Sequence, residues 1–152
     1  MIPSTVDRVP LHTSDHVNHQ IRRETEARVA HLATAGRVAI DQRLAELDDE
    51  WDIERTLEAN AATVSAVGAA LALAVNRKFA LIPLAVGTFL AQHAVQGWCP
   101  PLPLFRRLGF RTQSEIDHER YALKALRGDF RNLPKASLNG TTSEALMATM
   151  RK

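Results

Sequence analysis

Between Ala59 and Phe105 the chain carries only two charged side chains, Arg77 and Lys78. They divide the block into two apolar stretches. In Ala61–Val75 the only polar side chains are Thr63 and Ser65, and apolar residues cover every helical face. In Phe79–Gly97 come Phe79, Leu81, Ile82, Leu84, Val86, Phe89 and Leu90, before Gln92, His93 and Gln96. A helix that is apolar all round has to be buried in a large core or in lipid. The rest of this 152-residue chain is too short and too polar to wrap two such helices. The pattern therefore predicts a two-helix transmembrane hairpin over residues 57–97 in an all-α protein. At ~1.5 Å per residue the two stretches span roughly 22 and 28 Å, against about 30 Å of hydrocarbon. The first helix must then borrow from Leu57–Asn60 or Asn76, or the bilayer must thin around it.

Small residues supply a reason for helices to associate inside lipid, where tails provide no hydrophobic drive and close backbone approach is what counts. Ala62, Ala66, Ala70 and Ala74 recur every four residues, with Gly68 among them; Gly87 and Ala91 give the second helix a matching smooth strip. Near the helix ends, Arg43, Arg55, Arg106, Arg107 and Arg111 lie on the side of the termini, and only Arg77 and Lys78 lie at the turn. That bias places both termini in the cytoplasm.

The flanks read as water-facing helices. Residues 1–13 have two prolines and no apolar run, and read as a flexible leader without a secretion signal. A helical region is expected over 14–56. Ser14 or Asp15 can cap it, Val17, Ile21, Val29 and Leu32 recur near helical spacing, and Gly36 ends or bends the first helix. Ile40, Leu44, Leu47 and Trp51, at steps of four, three and four, then predict a narrow seam. The acidic run Glu46–Asp52 reads as a solvated face. After the hairpin, Thr112-x-x-Glu115 is a capping box opening an amphipathic helix over 112–128, with Gly128 at its end. Residues 129–152 read as a flexible tail.

Residues 98–111 form a proline-rich turn and are the least generic part of the chain. Trp98 belongs at a lipid–water boundary, and Arg106 and Arg107 suit contact with lipid phosphates. The order Gly97, Cys99, Pro100, Leu108, Gly109 and Thr112, with Ile53-Glu54-Arg55 and Gly68 upstream, resembles the YgaP-like inner-membrane transmembrane domain family of bacteria. The resemblance runs from about Trp51 to Ser114. It implies a two-helix membrane hairpin in the bacterial inner membrane that tends to self-associate, sometimes joined to a rhodanese sulfurtransferase domain. No rhodanese loop is present, because Cys99 is the only cysteine.

Cys99 itself is open to several readings: a small apolar residue in the turn, a reactive or persulfide-carrying thiol, a haem ligand, or one half of an intermolecular disulfide. At a helix C-terminus the dipole disfavours a thiolate. His93 reads as a satisfied histidine near the interface. His12, His16 and His19 lack a nearby set of partners, so no metal is expected, and no cofactor motif is found. A formal charge of +2 excludes nothing by itself, but carries no nucleic-acid signature. The sequence thus favours a non-enzymatic membrane anchor or scaffold, with the lipid bilayer and its own copies as partners and room for a further membrane partner. The alternatives are a redox or sulfur-handling auxiliary using Cys99, and a soluble helical homo-oligomer that buries the hairpin between subunits.

Overall fold

The computed structural model describes Ser4 and residues 6–131, so the expected tail lies outside the described residues from position 132 onward. Six α-helices follow one another: α1 (Asp15–Ala35), α2 (Arg37–Asp49), α3 (Ile53–Ala74), α4 (Leu81–Gln96), α5 (Leu102–Arg107) and α6 (Gln113–Arg127). Two 3-10 turns, Pro10–His12 and Arg77–Ala80, complete the elements among the described residues, where no strand occurs.

Local chemistry sets most boundaries. Ser14 is the residue before α1, although its hydroxyl makes no capping bond. Gly36 separates α1 from α2 at φ +93°, a conformation that costs glycine little. Asp52 caps α3 by accepting from the Arg55 amide at 2.8 Å. Gly97 ends α4 in the left-handed region and Gly128 does the same for α6. Thr112 and Glu115 form a reciprocal capping box at the start of α6. The short helix α5 lies inside the stretch read from sequence as a turn. Pro101 precedes it and Pro103 sits in its first turn, where a missing N–H leaves no hydrogen bond unmade.

Helices α1, α2 and α6 build a head around Leu32, Ile40, Leu44, Leu47, Ile116 and Leu123. Each such side chain contributes about 1.5–3 kcal/mol when fully buried. Trp51 does not extend this seam: it lies beyond the end of α2 and is 45% exposed. A second small core, Val9, Ile53, Leu57, Cys99 and Leu102, joins the N-terminal segment to the start of α3 and to α5. The described residues 6–13 of the segment expected as a flexible leader are therefore packed against the fold. Val9 and Thr13 are buried, and the Pro10 turn lies between them.

Helices α3 and α4 are antiparallel neighbours, since Glu54 meets His93 at one end and Gly68 meets Ile82 and Pro83 nearer the other. A Cβ on Gly68 would stand 2.8 Å from Ile82 Cβ and 2.9 Å from Pro83 Cδ. At Gly68 the two helices thus approach too closely for any side chain. Ala62, Ala66, Ala70 and Ala74 are exposed, and Gly87 has nothing within 4 Å of its added Cβ. Ala91 is exposed as well. The alanine strip and its partner strip are therefore not what holds the pair together. The face of α3 that meets α4 runs instead through Leu57, Ala61, Ser65, Gly68 and Ala72, one position round the helix from the strip.

We expect Gly68→Val to force α3 and α4 apart and lower thermal stability by about 1–3 kcal/mol, the usual cost of overpacking. Ala66→Val, on the outward face, should leave the melt within about 0.5 kcal/mol. Thermal circular dichroism of both variants in mild detergent checks the pair.

Candidate functional site

The polar residues that the fold brings together lie where the pair α3–α4 meets the head. Glu54 sits in the first turn of α3, and His93 sits in the last turn of α4. His93 Nε2 donates to Glu54 Oε2 at 2.8 Å, and the ring is 3% exposed. Arg8 reaches across both helices. One guanidinium nitrogen donates to Glu54 Oε1 at 3.0 Å and another donates to the Ala94 carbonyl at 2.8 Å. That carbonyl is among the last four of α4, which have no partner within the helix. A carboxylate near the N-terminus of α3 and a cation at the C-terminus of α4 both complement the helix dipoles. The arrangement closes the base of the helix pair electrostatically.

Gly97 makes the crossing possible. A side chain there would collide with the Arg8 carbonyl oxygen, and its φ of +82° turns the chain back over α4. The reversal returns Cys99 to the end of α4, with its thiol against the His93 ring. The contact lacks hydrogen-bond geometry, so His93 Nδ1 is buried without a partner. Cys99 is 5% exposed and is covered by Val9 and Leu102. The group has the residue types of a thiol–imidazole–carboxylate relay, but the N-terminal segment closes it off from solvent.

A larger ionic framework fills the head. The carboxylate of Glu119 is fully buried and accepts from Arg28 at 2.9 Å, from Arg43 at 2.8 Å and from Arg111. Arg111 also grips Glu50 with two bonds of 2.8 and 2.7 Å. Its backbone carbonyl accepts from Ile53 at 2.8 Å, which ties the framework to the start of α3. Arg106 is 1% exposed and uses all five of its N–H donors. They reach both oxygens of Glu115, at 2.7 and 2.8 Å, together with Asn18, Thr13 and the Phe110 carbonyl.

Several expectations change accordingly. Arg106, expected at lipid phosphates, is locked inside the head, because a bidentate carboxylate and three neutral acceptors replace its water. Arg107 is exposed, and Trp98 is half-buried at the base of the pair. Leu108 is exposed, and Gly109 takes φ +91° in open space at the end of α5. Pro100 is an exposed turn residue. Glu50, read as part of a solvated acidic face, is half-buried and paired with Arg111 and Arg43. The signal that would have found Glu115 was its capping box, which already folds it back on Thr112. Nothing local marked Glu119, Arg8 or the pairing of Glu54 with His93. Beside the base, Asp48, Glu50, Asp52, Glu54 and Glu58 line an open depression of about 460 Å³ together with Arg55 and Arg120. Among the described residues, no group of three or more His, Cys, Asp or Glu is placed to hold a metal ion.

No family model, curated protein or solved structure matches this chain.

The framework makes stability depend on pH in a definite direction. Burial pushes the carboxyl of Glu119 up, but hydrogen bonds from Arg43 and Arg111 outweigh it and hold the group below its usual 4.5. Glu115 is likewise pushed up by burial and held below 4.5, by Arg106 and the Thr112 amide. A carboxylate whose pKa is lower in the folded state stabilises the fold above its unfolded value, and that contribution is lost as pH falls through the folded value. Helical circular dichroism should therefore hold down to pH 4.5 and decline below it. Glu119→Gln removes the buried counter-charge that Arg28, Arg43 and Arg111 share, and should cost about 3–5 kcal/mol at neutral pH, while flattening the acid transition.

Proposed function

We propose that the chain is a small integral membrane protein whose α3–α4 hairpin is embedded in a bilayer, and that it acts as an anchor or scaffold rather than an enzyme. The observation that carries this reading is the lack of cover on the hairpin. Leu73, Leu81 and Leu84 are 91%, 66% and 66% exposed, and Val64, Val67, Val75 and Val95 also face outward. Only Gly68 is buried in the half of α3 beyond the base. A monomer in water would not leave so large a contiguous apolar surface open. By length and composition, two helical stretches, Arg37–Ala74 and Arg77–Gln96, are able to cross a membrane, and the apolar part of the first is α3. At ~1.5 Å per residue the charge-free part of α3, from Ala59 to Ala74, is roughly 24 Å long, so the bilayer thins around it.

The positions of the two tryptophans support the same placement. The chain has only Trp51 and Trp98, just before α3 and just after α4. Indole rings collect at membrane boundaries because one edge is wet and the rest apolar. Trp51 is stacked under the Arg55 guanidinium at 4.2 Å, a pairing suited to that layer. In this reading both termini and the head lie in the cytoplasm of a bacterium, as the arginine bias and the resemblance to YgaP-like inner-membrane domains imply. The outward strip of Ala62, Ala66, Ala70 and Ala74, with Gly87 and Ala91, is then left for a second copy.

A second reading keeps Cys99 as a working thiol in redox or sulfur chemistry. What favours it is the contact of Cys99 with a histidine that is itself oriented by Glu54. A Cys99→Ser strain with normal thiol chemistry and normal growth under sulfur stress would remove it.

The membrane reading predicts that the full chain stays with membranes through alkaline carbonate washing. Release into the wash as a defined oligomer would favour the soluble alternative. Ala66→Leu with Ala70→Leu should reduce cross-linked dimer in detergent several-fold while leaving the monomer folded; unchanged cross-linking would sink the assigned packing face.

A further inference from the structure

We infer that α5 is a foot seated in the headgroup layer of an anionic phospholipid membrane, with Leu104 and Leu108 dipping among the acyl chains and Arg107 on the lipid phosphates. The inference rests on the membrane reading above and adds a depth and a lipid class to it. Helix α5 is six residues long, and its two sides differ. Leu102 and Arg106 are buried against the head and Phe105 half-buried; Leu104 and Leu108 are 59% and 65% exposed, with Arg107 exposed between them. Residues at spacings of three and four share a helix face, so Leu104, Arg107 and Leu108 form one surface.

The position of this surface follows from the chain path. Gly97 turns the chain at the base of α4, Trp98 marks that level, and α5 packs against the start of α3 through Leu102. With Leu102 in one cluster with Ile53 and Leu57, α5 lies beside the start of α3, at the base of the hairpin. Its orientation is held from the other side: Arg106 cannot rotate outward without breaking all five of its bonds to the head. Edge-to-face packing of Phe105 on Phe110, with ring centroids 5.5 Å apart, fixes the same side. Charge selects the lipid. From Ala59 to Ser114 the sequence contains no Asp or Glu, while Arg106, Arg107 and Arg111 follow the hairpin. Of these three, only Arg107 is exposed. A short amphipathic helix with leucines below and arginine at the rim is suited to that boundary.

The test uses the full chain in vesicles, with single spin labels in a Cys99→Ser background at Leu104→Cys, Leu108→Cys, Val67→Cys and Arg23→Cys. Collision with oxygen against a water-soluble nickel complex reads the depth of each label. Val67, in the middle of α3, reports the hairpin, and Arg23, on the outer face of α1, is the aqueous reference. In phosphatidylcholine vesicles containing phosphatidylglycerol, the labels at 104 and 108 should be shielded from nickel several-fold more than the one at 23, and less than the one at 67. Removing phosphatidylglycerol should shift the ratio of inserted to exposed label by about fivefold, as one arginine at an anionic surface implies, and Arg107→Glu, which reverses that charge, should shift it further. A lipid-embedded label at 67 with labels at 104 and 108 as wet as the one at 23 would overturn the foot and leave the hairpin standing. Wet labels at all four sites would overturn both. Insertion that is indifferent to phosphatidylglycerol and to Arg107→Glu would overturn the assignment to anionic lipid.

Discussion

Two fully buried charged side chains, Arg106 and Glu119, hold the head of this protein in its shape. The apolar core between α1, α2 and α6 is small, and the second core at the base is smaller still. What unites them is a set of arginine–carboxylate pairs that reaches from α1 and α2 to the loop before α6. Burying a charge is costly unless it is paired and its remaining hydrogen bonds are met. Arg106 meets that condition with five donors in use, and Glu119 meets it with three arginines. Such a framework is less a source of net stability than a specification of geometry. It accepts one arrangement of helices and penalises the others.

That rigidity matters because the head has to carry a pair of helices that cannot cover themselves. The base of α3–α4 is closed by opposite charges at opposite dipole ends, with Arg8 bridging Glu54 and the last turn of α4. Ile53, the first residue of α3, hangs from the carbonyl of Arg111, so the hairpin and the ionic framework share one strand of chain. The direction of the hairpin relative to the head is therefore set by polar contacts. Beyond the base, only small and apolar contacts remain.

The interior of the hairpin shows how a smooth surface can mislead. Alanines at every fourth position look like a packing strip, but all four face outward. The contact between α3 and α4 centres on Gly68, because Ile82 and Pro83 on the partner helix leave no room for even one methyl group. Helical repetition says which residues share a face, but not which face turns inward. The N-terminal segment shows the converse. A stretch with two prolines and no apolar run resembles a loose leader, yet Val9 seals the base and Arg8 ties it shut.

The sequence by itself determined the all-α class, the two charge-free stretches, the breaks at Gly36, Gly97 and Gly128, and the capping box at Thr112. All of these follow from interactions within a few residues, where spacing and side-chain type suffice. Only the tertiary structure decided that Arg106 and Arg111 are buried, that Glu115 answers the first and Glu50 and Glu119 the second, and that Cys99 rests against His93. Arg111 and Glu50 lie 61 residues apart in the chain, and His93 and Glu54 lie 39 apart. A guanidinium has the same local signature whether it meets water, a phosphate or a distant carboxylate. The partner is chosen by how the helices pack, and the helices pack by burying surface that no single stretch of chain can describe.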